Sequence, residues 1–468
     1  MTAVTTEASS EAGLAGGYPP RRAVVAWLFF DWACQPFFTL ITTFVFAPFF
    51  AARLTASPAE GQALWGYATG LAGLVIAVAS PVLGAIADAS GPKKPWIACF
   101  GAAMALASAA LWWAVPGASF AVPLALVAFA IGTIGAEFAT VFNNSMMPRL
   151  VPPERLGRLS GTGWATGYVG GLISLVITLG FLSASPETGR TLMGFVPLFG
   201  LDAATSAGDR AAGPLTGLWF LVFVMPMFLL TPDVPATGAS LREAAGRGVR
   251  TLLGTIAHAR RHGPVMRFLL ANMVYQDGLV ALFAFGGIYA AGVFGWGTIE
   301  IGVFGILLTI TGTIGAFVGG RLDDAVGSKP VILGALGILI ACCIGILSLS
   351  SDRILFVVPV EPPQPGDGLY ASLPEQVYLG LGLLIGLVAG PMQAASRSLL
   401  VRLAPEGRAG EFFGLFALSG KVTSFLAPTM VAIATQASGT QTAGLAVLVL
   451  FFGTGAAILA GVRTRPAS

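Results

Sequence analysis

Twelve apolar runs, separated by short clusters of charged, Pro and Gly residues, make up most of the 468-residue chain. They fall at about residues 23–51, 63–87, 95–115, 119–147, 159–183 and 214–231, then at 265–292, 299–320, 330–350, 376–400, 412–436 and 442–462. About 20 helical residues cross ~30 Å of hydrocarbon, and barrel strands would instead alternate over ~10 residues. The pattern predicts an all-α integral membrane protein of twelve transmembrane helices in two six-helix bundles. A disordered tail (1–20) precedes the N-terminal bundle (21–231), a cytoplasmic linker (232–264) and the C-terminal bundle (265–468). The tail lacks the basic-then-apolar order of a signal peptide. Within the linker, 240–262 interleaves Arg with Leu241, Val249, Leu252, Leu253 and Ile256, the pattern of an amphipathic surface helix.

Composition agrees. Apolar residues are 55% and charged residues 10%, and the mean hydropathy is +0.82. An ordinary soluble domain carries about 25% charge. A net charge of +3 gives no ground for nucleic-acid binding. With the N-terminus in the cytoplasm, twenty of the 25 basic residues fall on the inner side. Only Arg53, Arg190, Arg210 and Arg353 lie outside, and Lys421 falls within a helix. The bias places both termini inside. The outer loops 184–213 and 351–375 read as irregular. Cys34, Cys99, Cys342 and Cys343 lie in apolar runs and read as packing residues.

The halves repeat. After the second run the chain reads Gly84-x-x-x-Asp88-Ala-x-Gly91, then Lys93 and Lys94; after the eighth it reads Gly320-x-x-x-Asp324-Ala-x-Gly327, then Lys329. A second echo pairs Arg149-Leu150 with Arg402-Leu403. Six-plus-six duplication is the layout of transporters that rock two bundles about a midplane site.

The loop after the second helix resembles the signature of the major facilitator superfamily. Phe30-Asp31-Trp32-Ala33, Phe46-Ala47-Pro48-Phe49-Phe50, Leu64-Trp65-Gly66-Tyr67-Ala68, Phe142-Asn143-Asn144, Met147-Pro148 and the stripe Gly161, Gly163, Gly167, Gly170 and Gly171 resemble the branch of fungal vacuolar amino-acid effluxers (autophagy-related permeases) and their bacterial relatives. This branch resemblance is specific over 27–171. It departs at Cys34-Gln35, where the branch usually has Asn-Ser. The resemblance implies that helices 1, 4, 7 and 10 line a central cavity. It also implies that Gly84, Asp88, Gly91, Lys93, Lys94, Gly320, Asp324, Gly327 and Lys329 act in gating, with Asp88 and Asp324 latching the closed inner gate.

Ionisable groups at depth cost several kcal/mol and so face a cavity or a partner. Asp31, Glu137, Asp277 and Lys421 all lie ~12–18 Å along their helices from the inner side. Three acids face one base, which leaves an acid without a partner, and a lone acid in low dielectric binds a proton. The acids are therefore candidates for proton coupling or structural ion pairs. Gln35, Asn143, Asn144, Asn272, Gln276 and Gln393 could bond substrate or neighbouring helices. Trp164 and Tyr275 could stack on substrate, and Arg397 could bind an anion or snorkel. His258 and His262 are spaced for two ligands, which do not make a metal site; no cofactor is implied.

No phosphate-binding loop is present: Gly420-Lys421 is followed by Val422 inside an apolar helix. Nor does a nucleophile or metal constellation point to an enzyme. The sequence therefore predicts a secondary transporter, symporter or antiporter, monomeric, in the bacterial inner membrane. Its partners would be a small polar solute, protons and the bilayer. The mixed polar groups suit amino-acid or short-peptide efflux. An organic anion or a cell-wall sugar-peptide fragment is the alternative, and a non-transporting sensor or assembly factor is the rival from another class.

Overall fold

The computed structural model describes residues 17–151, 156–233, 235, 263–361, 368–403, 416, 419, 420 and 422–463. For 80–82, 84–90, 148, 156–158, 160, 161, 316, 317, 320, 321, 324 and 401 it describes the backbone alone. Lys421, the linker helix, both histidines and the side chains of Asp88 and Asp324 thus lie outside what is described. Among the described residues, eleven helices are long and apolar enough to cross a membrane. They are α1 (Arg21–Leu54), α2 (Pro58–Ser90), α3 (Lys94–Trp113), α4 (Ala121–Ser145), α5 (Leu156–Ile177, wound on as a π-turn to Leu182) and α6 (Ala207–Leu230) in the first half. The second half contributes α7 (Gly263–Phe294), α8 (Thr298–Val326), α9 (Ser328–Leu347), α10 (Leu373–Leu403) and α12 (Gln441–Ala460). The shorter α11 (Leu426–Ser438) lies where the eleventh crossing is expected.

Three boundaries differ from the sequence reading. The duplicated glycine motif is helical almost to its end: the chain leaves α2 at Gly91 (φ 94°) and α8 at Gly327 (φ 88°), so each loop is only the turn itself. Both glycines occupy the left-handed region that other residues resist. Next, α6 begins at Ala207, seven residues before the apolar run. Arg210, expected in a loop, is buried; its guanidinium donates to the Trp112 carbonyl at 2.8 Å and lies over the Trp112 ring. An arginine with one N–H on a carbonyl and its plane over an aromatic ring can sit inside a helix that hydropathy alone would start later. Finally, 351–375 holds a small antiparallel hairpin, β1 (Arg353–Ile354) with β2 (Val358–Pro359). Of the cysteines, Cys34, Cys342 and Cys343 are buried as expected, but Cys99 is exposed.

Within each half, helices pack side by side: α1 on α5, α3 on α4 and α6, α7 on α12, and α8 and α9 on α10. The halves meet mainly along α2 with α11 and α7, and along the second part of α1 with α7 and α8. These contacts favour the end that the charge bias places outside.

Candidate functional site

At that outer end the halves interlock mainly through amides and hydroxyls. The Gln62 amide on α2 donates to Thr435 Oγ1 at 2.8 Å and to the Gln441 carbonyl at 3.1 Å. The Gln441 amide donates to the carbonyls of Pro58 and Ile288, and the Tyr67 hydroxyl to Gln436. Asp209 on α6 accepts from Ser183 and from Thr298 of the other half. Tyr67 belongs to the motif Leu64-Trp65-Gly66-Tyr67-Ala68; Gln62 and Gln441 have no sequence signal, because single amides in apolar runs carry no pattern.

At the other end the duplicated lysines hold their own halves together. Lys94 Nζ donates to the Phe228 carbonyl at 2.8 Å, at the end of α6. Lys329 Nζ donates to the carbonyls of Ala460 and Val462, each at 2.8 Å, at the end of α12. Both follow one rule, a cation placed on the exposed carbonyls of a helix C-terminus. Asp233, missed in the sequence, accepts from the backbone N–H groups of Lys93 and Lys94 and so caps α3. Asp323, beside the predicted Asp324, is buried and pairs with Arg402 at 3.7 Å.

Between these ends lies the site. The glycine stripe of α5 lets α1 approach closely. A Cβ on Gly163 would stand 2.3 Å from Asp31 Oδ2, and one on Gly171 would stand 2.9 Å from Gln35 Cγ. The Asp31 carboxylate therefore rests on bare helix backbone. It is half-buried, and among the described residues nothing donates to it. Glu137 on α4 comes near Cys34, as Asp31 does, and is engaged by a partner of its own. One residue beyond Gly163, Trp164 is 49% exposed, and one turn further its neighbour Tyr168 is 43% exposed, the rings 5.8 Å apart. Arg397 of α10 is also exposed and lies near Tyr168, on the opposite half. Asn144 is exposed, while Gln35, Gln276 and Gln393 are half-buried. An acid, an exposed aromatic pair and an exposed base of the opposite half thus lie in one region.

Other candidates fall elsewhere. Tyr275 is fully buried and its hydroxyl bonds Ser396 at 2.7 Å, so its ring cannot stack on a solute. Asn143 is buried at the Trp27 contact, and Asn272 is buried and donates to Ser419 at 3.4 Å. Asp277 is buried, and its Oδ2 accepts from the Ala427 N–H at 3.1 Å. Sequence gives no ground for preferring Tyr168 to other aromatics of the apolar runs; the fold leaves its ring exposed beside Trp164.

Two bundles of membrane-length helices, interlocked at one end, are the architecture of a major facilitator transporter. The major facilitator superfamily model matches residues 7–175. The model described as "Vacuole effluxer Atg22 like" matches residues 153–467, more than half of the chain, and the chain belongs to that family. The match lies mostly beyond the 27–171 stretch that carried the branch resemblance, sharing only 153–171 with it. Among relatives, an uncharacterized MFS-type transporter, YxiO, of Bacillus subtilis (strain 168) is 24% identical over 93% of this chain and 94% of its own length. Autophagy-related protein 22-1 of Neosartorya fischeri is 24% identical over 60% of this chain, and the match spans only 44% of that longer protein. The fold resembles the crystal structure of a D-xylose-proton symporter (TM-score 0.64, 14% identity, 94% of this chain and 96% of that one). It also resembles a bacterial homolog of the human lysosomal transporter Spinster in an inward-facing, unoccupied conformation (TM-score 0.62, 16% identity, 96% and 100%). The chain is an integral membrane protein of the major facilitator class, whose members are secondary transporters.

Proposed function

We propose that this chain is a proton-coupled exporter of amino acids or short peptides in a bacterial inner membrane, with Asp31 as the coupling acid. The observation that carries this reading is the Asp31 carboxylate itself. Of the deep acids, Glu137 is engaged and Asp277 is bonded, while Asp31 has no donor among the described residues and lies beside the helix that exposes Trp164 and Tyr168, the surface this reading takes to line a cleft between the halves. An acid kept without a fixed partner is free to exchange a proton with the cleft or bind a substrate ammonium. Arg397 on the facing wall supplies the complementary charge for a carboxylate, and Trp164 and Tyr168 supply stacking surface. A zwitterion meets both charges at once. The family model's description as a vacuole effluxer supports export.

The charge bias makes the interlocked end extracellular, so this conformation is inward-facing, and rocking about the α2–α11 contact would expose the cleft outward. Arg397 alone also favours a second reading, an organic anion. Thermal shift of the purified protein separates them. Stabilisation by RT ln(1 + [L]/Kd) with L-amino acids or dipeptides supports the proposal. Stabilisation by dicarboxylates alone would replace it with the second reading.

A further inference from the structure

The repeat that relates the two halves pairs α1 with α7 and α5 with α11. In each half an acid of the first helix meets the fifth: Asp31 at Gly163, Asp277 at Ala427. The meeting points differ in one respect. Around Gly163 helix α5 is continuous. Facing Asp277 the eleventh crossing is broken: Ser419, Gly420 and Val422 are helical, Thr423–Phe425 form a turn, and α11 restarts at Leu426. A restarted helix leaves N–H groups without intrahelical acceptors. One of these, on Ala427, is taken by Asp277 Oδ2. The N-cap position of α11 is Phe425, whose side chain makes no capping hydrogen bond. Below the break Asn272, also on α7, holds Ser419. Helix α7 thus grips the eleventh crossing on both sides of its break.

The break lies where the halves touch. Helix α2 presents Gly66, Gly70 and Gly73 to it. A Cβ on Gly73 would stand 3.0 Å from the Phe425 nitrogen, and one on Gly66 2.9 Å from the Pro428 carbonyl oxygen. So the turn and the first residues of α11 form the surface on which α2 seats when the outer end is closed.

We propose that Asp277 is a positioning residue: by capping the restart of α11 it fixes the shape of the surface that α2 closes upon, and it does not carry the coupling proton. The hydrogen bond needs only an acceptor oxygen. The other carboxylate oxygen, Oδ1, is buried with no donor among the described residues. Asparagine therefore reproduces the contact, and leucine, of similar volume, does not. This goes beyond the assignment of Asp31 and would stand if that assignment failed, because the cap requires no particular substrate or coupling ion.

The test uses purified full-length protein without native cysteines, carrying nitroxide labels at Ala56→Cys and Ala437→Cys on the two outer turns. Asp277→Asn and Asp277→Leu are compared with the parent by amide exchange over 423–430 and by label-to-label distance at pH 5.5 and 8. Expected for Asp277→Leu are about tenfold or faster exchange in that segment, as for a locally opened hydrogen bond, and a broadened, longer distance distribution. Asp277→Asn is expected to match the parent in both readouts at both pH values. If Asp277→Leu fails to yield a monodisperse protein, Asp277→Asn and Gly73→Val decide. Gly73→Val is expected to lengthen the distance while leaving exchange at 426–430 unchanged. The proposal is overturned if Asp277→Asn loses protection, or if at pH 8 it adopts the parent's pH 5.5 distribution where those two differ. Unchanged exchange in Asp277→Leu, or unchanged distance in Gly73→Val, would also overturn it.

Discussion

Asp31 and Asp277 are related residues in related places, and their surroundings separate them. Each lies deep in the first helix of its half and each touches the fifth. Asp31 meets an intact helix, whose N–H groups are already spent, and finds only the open face of Gly163. Asp277 meets a broken one and is drawn into its free N–H. An intact facing helix leaves an acid available for exchange; a broken one turns the acid into a cap. Burial follows the same division: Asp31 is half-buried, while Asp277 is only 3% exposed.

The largest effect expected from this contrast is on Asp31→Asn. It should abolish accumulation driven by a pH gradient while leaving counterflow exchange within about threefold, since exchange needs no net proton release; a loss below a tenth of the rate corresponds to ~1.4 kcal/mol or more. Measuring both modes in one vesicle preparation distinguishes this from loss of binding. Next is Gly163→Ala. The added methyl must displace the Asp31 carboxylate, 2.3 Å away, and so should shift the pH profile of transport by up to about one unit while costing little thermal stability. A profile unmoved by this substitution would mean that the Gly163 notch does not tune the acid.

That second prediction marks what the sequence could and could not reveal. The membrane class, the duplicated halves and the depth of Asp31, Glu137 and Asp277 follow from hydropathy and spacing. Their different roles do not, because these depend on which N–H groups a neighbouring helix has left over. The break at Thr423–Phe425 contains neither Gly nor Pro, the residues by which breaks are recognised, and Pro428 lies beyond it. Tyr275 and Trp164 looked alike as aromatics in apolar runs, yet one is sealed beside Ser396 and the other borders the cleft. The duplicated lysines were legible as a motif, but their acceptors, the carbonyls ending α6 and α12, become visible only when the halves are assembled.

A smaller effect concerns the outer interlock. Gln62→Ala removes the donor to Thr435 and to the Gln441 carbonyl, and a buried group left without its partner costs about 1–3 kcal/mol. This should move the ratio of outward-open to inward-open protein about tenfold, read as labelling by an impermeant reagent of Ala432→Cys, which is buried beside Gly66 while the outer end is closed. No gain in labelling would show that the amides do not hold the outer end. Smallest is the pair Lys94→Met and Lys329→Met. Each removes a cation from a helix C-terminus, worth about 0.3–1 kcal/mol. Lys329→Met should lower the melting temperature more, because it serves two carbonyls against one.

The most direct test of the account places Asp31→Asn and Asp277→Asn side by side in proteoliposomes, using a radiolabelled L-amino acid that stabilises the purified protein. With an imposed pH gradient, the account predicts that Asp277→Asn accumulates substrate as the parent does, while Asp31→Asn only equilibrates it. Accumulation by Asp31→Asn, or its loss in Asp277→Asn with counterflow intact, would contradict the division of roles between the two acids.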